Sequence, residues 1–137
     1  MKKMTQKMTQ KIMQQRTGDR ALNFLAFALG ALLLFHGIDK VVDGIVGIEK
    51  LLVEFKVPYA HYVSYGVYLG EVVAPLFLIL GIFIRSAAVV VIVNMIVAII
   101  LVHREVIFTL GEYGEWSIET PMLYLVMAIS LALWEKS

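Results

Sequence analysis

The chain has 137 residues, of which 60% are hydrophobic, with a mean hydropathy of +0.81 and a formal net charge of +1 at pH 7. A composition this apolar is typical of a membrane protein rather than a soluble multidomain protein. The absence of cysteine excludes a self-contained thiol–disulfide enzyme, a c-type haem attachment and thiolate metal sites. The basic residues gather beside a hydrophobic segment rather than along an aromatic-laced groove, which argues against nucleic-acid binding.

Residues 1–20 are predicted to form a basic cytoplasmic N-terminal segment, and residues 21–137 a transmembrane domain. The N-terminal segment contains the tetrapeptide MTQK twice in tandem, at residues 4–7 and 8–11. Its apolar residues recur at helical spacing opposite lysines and glutamines: Met1, Met4, Met8 and Ile12. This pattern predicts either a short amphipathic helix lying on the membrane surface or a frayed basic tail that sets topology. Contact with a partner protein is a third alternative.

Four apolar segments approach the roughly 20 residues that a helix needs to cross a bilayer. They cover approximately residues 21–38, 62–84, 86–102 and 116–134. The third is rich in valine and isoleucine, but its unbroken length favours a membrane helix over a buried strand. The sequence therefore predicts an all-α polytopic membrane protein, a four-transmembrane-helix bundle. The first segment follows a basic region, as a secretory signal does, but it lacks a small-x-small cleavage site and is expected to be retained.

Basic residues are distributed unequally between the two ends of these segments. With four crossings both termini lie on one side, which carries eight basic residues: Lys2, Lys3, Lys7, Lys11, Arg16, Arg20, Arg85 and Lys136. The opposite side carries four: Lys40, Lys50, Lys56 and Arg104. Because cytoplasmic loops are enriched in lysine and arginine, this asymmetry predicts cytoplasmic N- and C-termini. Arg85 is expected to be an anchor that snorkels to the interface.

The segment between the first two spans, residues 45–55, is too short to cross a bilayer. Its apolar positions oppose Glu49, Lys50 and Glu54, which predicts an amphipathic helix on the outer surface. Pro58 ends this helix, and the tyrosines that follow are expected to form an interfacial belt: Tyr59, Tyr62 and Tyr65. The default role of this element is to cover the outer end of the bundle.

Glu71 lies in the middle of the second apolar segment. A carboxylate at that depth costs several kcal/mol, so it persists only with a partner, a proton or a function. Small residues at positions 66, 70 and 74 offer a groove for close helix approach. Pro75 has no N–H to bond the carbonyl of Glu71 four residues earlier, so an unpaired backbone acceptor is expected beside the carboxylate. The Glu71 carbonyl and carboxylate are expected either to accept a hydrogen bond from a neighbouring helix or to hold a proton or cation together.

Other ionisable residues are predicted at the same end of the bundle. One face of the first helix carries residues at i, i+3, i+4 and i+7: His36, Asp39, Lys40 and Asp43, the last expected to be solvated. His103 ends the third helix and precedes Arg104. Asn94, nine residues earlier, is expected on the opposite face of that helix, where it forms a hydrogen bond to a neighbouring helix. Residues 120–121 (Thr-Pro) predict an N-cap followed by a first-turn proline, which places Glu119 just outside the fourth helix.

These side chains define the candidate site: His36, Lys40, Glu71, His103 and Glu119, with Asp39, Pro75 and Arg104 nearby. Three functions compete for it. The first is a pocket for a quinone, with protonatable groups above an apolar slot. The second is a proton or solute path with Glu71 as the relay. The third is a satisfied network that fixes helix register in a docking subunit.

Metal binding is a weaker reading of the same residues. His36 and His103 with a carboxylate are the candidate ligands, but the chain contains no His-x-x-x-His pair, so no metal site is predicted. A haem between the two histidines is not favoured, because nothing in their spacing requires the imidazoles to oppose each other across the bundle.

Several short pieces of the chain form a pattern by their order and spacing: residues 35–40 (FHGIDK), Gly70-Glu71 with Leu80-Gly81, residues 85–88 (RSAA), Met95 with Ala98 and His103, and Glu119. This pattern resembles the DoxX family of small four-helix bacterial membrane proteins. The resemblance covers approximately residues 21–133. It implies a bacterial inner-membrane subunit or partner in quinone-linked sulfur oxidation, terminal oxidases or oxidative-stress complexes. The Ala74-Pro75 pair departs from the small residues that relatives place there, which is expected to alter the local helix geometry.

The combined prediction is a DoxX-like integral membrane subunit of a redox assembly, with Glu71 exchanging protons or anchoring Lys40 or a histidine. His36 and His103 are then ligand donors or proton carriers at the rim. The alternatives are a non-enzymatic membrane scaffold and a small proton-coupled transporter. Quinone is the candidate cofactor. The predicted partners are membrane lipid and either a protein of a redox complex or a second copy of the chain.

Overall fold

The computed structural model describes residues 1–134, and these are almost entirely helical. An isolated antiparallel β-bridge joins Leu110 to Trp116 in the loop before the last helix. The all-α prediction is therefore confirmed for this part of the chain. Lys136, which contributed to the predicted charge asymmetry, lies outside the described residues, as do the other two residues of 135–137.

Helix α1, Lys2–Asp43, is one continuous helix of 42 residues. At about 1.5 Å per residue it is about 63 Å long, roughly twice the thickness of the hydrocarbon core. The apolar part suited to a membrane is Asp19–Asp43. The helix predicted for the N-terminal segment is therefore present, although it continues directly into the first span, and the alternative of a frayed tail was wrong for the backbone. The lysines, glutamines and methionines of this segment are good helix formers and no proline interrupts them, so the helix extends without a break.

A short helix, α2 (Val46–Glu54), follows α1 after Gly44, whose φ of 83° is readily adopted only by glycine. The predicted helix of residues 45–55 is thus present, one residue shorter at each end. Leu52 is its buried residue. Two residues with positive φ, Lys56 and Tyr59, turn the chain into the second span.

The second span, Ala60–Leu80, consists of several consecutive helical segments. They are α3 (Ala60–Ser64), α4 (Gly66–Tyr68), a π-helical turn (Leu69–Val73) and α5 (Ala74–Leu80). Gly81, at φ 73°, and Phe83, at φ 49°, form the tight turn into α6, Ile84–Val102. Three stretches are therefore long and apolar enough to cross a membrane by length and composition: Asp19–Asp43, Ala60–Leu80 and Ile84–Leu101.

The last helix, α7, covers Glu119–Ala132 and has only 14 residues. Its length of about 21 Å is shorter than the roughly 30 Å hydrocarbon core, so the prediction of a fourth full-length span is not confirmed. The start was misplaced because Trp116 and Ser117 join a hydrogen-bonded loop with Ile107 and Thr109 instead of the helix. A 3-10 turn, Arg104–Val106, begins that loop.

The predicted start of α7 also requires correction. The residue before the helix is Ile118, no side chain caps the helix, and Glu119 is its first residue rather than the residue outside it. Pro121 is compatible with this start because the first N–H groups of a helix have no intrahelical partner. Glu119 therefore lies in the first turn, where the helix dipole favours a carboxylate.

The long helices pack side by side with alternating direction around a core of small and aliphatic residues. The fully buried members include Ala26, Leu29, Leu33, Leu78, Ala88, Val91, Ala128 and Leu131. At one end of the bundle, Arg85 Nε donates to the carbonyl of Ala132, 3.1 Å away, at the C-terminus of α7. Trp134 Nε1 donates to Asp19 Oδ1 at 3.1 Å. Arg85 thus caps a neighbouring helix, a role beyond the predicted snorkelling anchor.

Candidate functional site

The π-helical turn of the second span positions Glu71. Within it, the N–H of Ala74 bonds to the carbonyl of Leu69, five residues earlier, instead of four. Pro75 follows immediately and cannot donate a backbone hydrogen bond to Glu71. Single π-turns inside α-helices occur frequently at functional sites. Here the wide turn buries both Gly70 and Glu71.

Helix α1 approaches the backbone of this turn closely. A Cβ atom on Gly37 would lie 2.0 Å from the carbonyl oxygen of Glu71, so the contact requires glycine. The acceptor that Pro75 leaves without its usual donor therefore faces the α1 backbone, where Cα–H groups make weak contacts with oxygen. Tyr68 adds a direct bond, because its hydroxyl donates to the carbonyl of Lys40 at 3.1 Å. The C-terminal end of α1 is thus tied to the second span.

Glu71 is 8% exposed, and its carboxylate contacts two other helices. Asn94 Nδ2 of α6 donates to Oε1 at 3.4 Å, a long hydrogen bond. Lys40 Nζ of α1 lies 3.6 Å from Oε2. Oε2 is buried, and no group within the described residues donates a hydrogen bond to it. The negative charge of Glu71 is therefore balanced mainly by the Lys40 ammonium rather than by hydrogen bonds, and Oε2 remains available as a buried acceptor.

Glycine also explains how Asn94 reaches the carboxylate. A Cβ atom on Gly70 would lie 2.5 Å from the Asn94 side chain, so α6 can approach only because Gly70 has none. The amide of Asn94 then extends past Gly70 to the carboxylate of Glu71. By contrast, nothing lies within 4 Å of a Cβ placed on Gly66. The small-residue groove predicted from positions 66, 70 and 74 is used at 70 and 74 only.

An open cavity of about 640 Å³ lies beside this carboxylate. Its polar lining comes from four parts of the chain: His36, Asp39, Lys40, Glu71, Asn94, His103, Ser117, Thr120 and Tyr124. Its walls are apolar and include Leu33, Met95 and Leu101. Helix α2 contributes Ile48 and Leu51, so this helix forms one wall of the cavity. The structure therefore brings His36, Asp39, Lys40, Glu71 and His103 to one cavity.

The expectation that Asn94 and His103 face apart was wrong, because both line the cavity. Nine residues of regular helix separate two side chains by about half a turn. However, α6 ends at Val102, and His103 has φ −111°, outside the helical range. The side chain of His103 is therefore not in helical phase with Asn94.

A histidine–tyrosine contact closes the side of the cavity between α1 and α7. The hydroxyl of Tyr124 lies 3.3 Å from His36 Nε2, and the two rings meet edge to face with centroids 5.7 Å apart. His36 is exposed and Tyr124 is partly buried, so the pair connects the interior to the surface. Sequence reasoning missed Tyr124. A tyrosine inside an apolar helix is a usable signal, since a hydroxyl at that depth needs a partner.

Three predicted site residues lie elsewhere. Glu119 is exposed and does not line the cavity, although its neighbours Thr120 and Pro121 do. Pro75 is buried in the core, where it shapes the backbone rather than the lining. Arg104 stacks over the ring of Phe55, with its guanidinium carbon 4.5 Å from the ring centroid, and borders a separate cavity of about 380 Å³.

Chemically, the main cavity offers donors and acceptors close together above an apolar slot. Lys40 and Tyr124 donate, the Glu71 carboxylate accepts, and the imidazoles of His36 and His103 can do either. In the described part of the chain, no group of three His, Asp or Glu side chains is placed to hold a metal ion. The arrangement suits a ligand with an apolar body and a polar head.

Comparison with known proteins identifies one family. The family model described as DoxX matches residues 21–104, which is more than half of the chain and includes α1 from its apolar part through α6. No curated protein and no solved structure matches the chain. The matched residues contain the Lys40–Glu71 pair and Asn94, whereas Tyr124 lies beyond them.

Proposed function

This chain belongs to the DoxX family and is a multi-pass membrane protein; from that premise we propose that it is the membrane subunit of a redox assembly that binds a quinone in the cavity beside Glu71. A quinone combines a planar ring bearing two oxygens with an apolar tail. The cavity combines polar groups with apolar walls. This chemical match supports the proposal.

The observation that carries the proposal is the unsatisfied Oε2 atom of Glu71. A buried carboxylate oxygen without a hydrogen bond is unfavourable, because the group has lost its hydration without full replacement. The neighbouring Lys40 ammonium is partly exposed, with 27% of its side chain accessible, and has donors to spare. A quinol hydroxyl can therefore donate to Oε2, and a quinone carbonyl can accept from Lys40, in neither case breaking a formed hydrogen bond.

Protons accompany quinone chemistry, and the lining residues suit their transfer. Reduction of a quinone to a quinol takes up two electrons and two protons, with the electrons supplied by a protein partner. In this proposal Glu71 takes part in proton transfer in the interior, and His36 takes part at the surface, where its ring contacts Tyr124. This division of roles follows from burial, since Glu71 is buried and His36 is exposed.

Replacement of Glu71 by glutamine tests the proposal. The purified protein in detergent is titrated by calorimetry with the reduced, quinol form of a short-chain quinone, and Glu71→Gln is expected to weaken binding by about tenfold, the effect of about 1.4 kcal/mol from a hydrogen bond to a charged group. The matched control is Glu49→Gln, which removes a carboxylate that pairs with His61, 3.3 Å away, and does not line the cavity. Quinol binding that is absent from the wild type, or equal in both variants, would refute the proposal.

A second candidate function, a non-enzymatic scaffold, is supported by the network itself. Bonds through Glu71, Asn94 and Lys40 join α1, the π-turn and α6, and such bonds fix helix register in membranes. A scaffold predicts that Glu71→Gln lowers the melting temperature while a co-purified complex keeps its activity. The quinone proposal predicts loss of turnover in a complex that remains assembled.

We further propose four membrane crossings in a bacterial inner membrane, with cytoplasmic termini and α2 on the outer surface. Although α7 is short, its C-terminus lies beside the beginning of α6 and of the membrane-suited part of α1, through the bonds from Arg85 to Ala132 and from Trp134 to Asp19. Of the eight basic residues counted on the terminal side, six stand at or before residue 20 of α1 and a seventh, Arg85, stands at the beginning of α6. Reporter fusions at the two termini test this topology. Reporters active on opposite sides of the membrane would exclude a fourth crossing.

A further inference from the structure

The N-terminal part of α1 extends beyond the bundle. The helix begins at Lys2, whereas its membrane-suited part begins at Asp19, which is held at the end of the bundle by Trp134. Five turns of helix are therefore attached directly at the point where the membrane part ends. Every residue from 1 to 12 is exposed.

One face of this extension is apolar. At about 100° per residue, Met1, Met4, Met8 and Ile12 fall within a sector of about 80°. The last three are 69%, 61% and 51% exposed, so nothing in the described chain covers them. Lys7 and Lys11 flank this sector on one side, whereas Lys3 and Gln10 lie on the opposite face. An apolar stripe flanked by lysines is typical of helices that lie at a membrane surface.

The charge of the extension favours an anionic partner. Residues 2–20 contain six basic side chains and one acidic side chain, Asp19. A second copy aligned in parallel would bring cations against cations, which is unfavourable. Lipid headgroups, by contrast, lie next to the extension, because the extension joins the membrane-suited part of α1 at Asp19. We propose that residues 2–13 dock along the apolar face onto a surface of anionic lipid headgroups.

Docking requires the helix to bend between the extension and the span. Gly18 lies at that boundary, and glycine weakens a helix interior because it gains the most conformational freedom when the helix opens. The bend exposes a few backbone groups to water at the interface, where water satisfies them. In return the apolar stripe leaves water. The extension then lies along the membrane surface on the side of Trp134 and Arg85.

The absence of cysteine allows a direct test with single-cysteine variants of the full chain. Met8→Cys places a polarity-sensitive fluorophore on the apolar face, and Gln10→Cys places it on the opposite face as the matched control. The protein is reconstituted in phosphatidylcholine vesicles with and without phosphatidylglycerol. We expect a blue shift for Met8→Cys only with phosphatidylglycerol, and no shift for Gln10→Cys. High salt is expected to reverse the shift.

Charge removal tests the electrostatic part. Each of Lys7→Gln and Lys11→Gln is expected to lower the ratio of docked to free helix by about fivefold, because a lysine near an anionic surface contributes about that factor. Lys3→Gln, on the far face, is expected to have a smaller effect. Equal spectra in both vesicle types, or equal shifts at Met8→Cys and Gln10→Cys, would overturn the proposal. Shielding of Met8→Cys only on addition of an acidic protein would overturn it in favour of that partner.

Discussion

Lys40 Nζ lies 3.6 Å from Glu71 Oε2, so the last turn of α1 and the π-turn of the second span carry opposite charges at one depth. The pair is partly buried, with 27% of the lysine and 11% of the glutamate side chain exposed. Buried charges are costly when one partner is removed, because the other loses its compensation without regaining water. The connection therefore stabilises the protein only while both residues are present.

Replacing Lys40 by methionine is expected to destabilise the protein by about 2 kcal/mol, less than for a fully enclosed pair because Lys40 is partly solvated. The double variant Lys40→Met with Glu71→Gln is expected to recover most of this loss, since no unpaired charge remains. Thermal unfolding in detergent, followed by circular dichroism, measures both. A double variant that is as unstable as the sum of the single variants would show that the two residues act independently.

Alanine at Gly37 is expected to destabilise the protein by about 1–3 kcal/mol, the usual range for overpacking. Its Cβ would meet the Glu71 carbonyl at 2.0 Å, so α1 must move away from the π-turn. Gly66→Ala is the matched control, because nothing lies within 4 Å of its Cβ and alanine favours a helix by up to about 1 kcal/mol. The two melting temperatures should change in opposite directions. A loss at Gly66→Ala equal to that at Gly37→Ala would contradict this packing.

Asp19→Ala removes the acceptor of the Trp134 indole N–H, which is partly buried. We expect a loss of about 1 kcal/mol, the typical contribution of one hydrogen bond. Asp43→Ala, at the exposed opposite end of α1, is expected to change stability by less than about 0.5 kcal/mol, as surface substitutions usually do. Tryptophan fluorescence in a Trp116→Phe background reports the environment of Trp134. An unchanged Trp134 spectrum in Asp19→Ala would count against the bond.

Pro75→Ala restores a backbone N–H four residues after Glu71. We expect the second span to shift toward regular α-helix, because the restored donor competes for the carbonyl that now faces Gly37. The Glu71 side chain then turns away from Asn94 and Lys40, so quinone binding is expected to fall at least tenfold without loss of helix content. Calorimetry and far-ultraviolet circular dichroism measure the two effects. Unchanged binding would show that the π-turn does not depend on the proline.

The three long helices could be predicted from sequence because their apolar length is a local property of the chain. The proximity of Lys40 and Glu71 was also anticipated, since both were predicted toward the same end of the bundle. The π-turn was not predicted, because Pro75 indicates that a bond is missing but not which bond replaces it. The presence of Asn94 and His103 in one cavity was missed for a similar reason, since it depends on where α6 ends.

The fourth helix shows the limit of composition more clearly. Trp116 is apolar enough to extend the predicted span, yet its indole donates to the carbonyl of Ile107 and holds it in the loop. Such a bond joins residues nine positions apart and leaves no periodic signal. Tyr124 was missed because its partner His36 is 88 residues away in sequence.

The π-turn of Leu69–Val73 is equivalent to a regular helix into which one residue has been inserted. Deleting one residue from this turn would restore uniform winding, but it would also rotate everything upstream by about 100° relative to α5. The half of the span that carries Tyr68 would then present different side chains to α1. The length of this span is therefore constrained to the single residue.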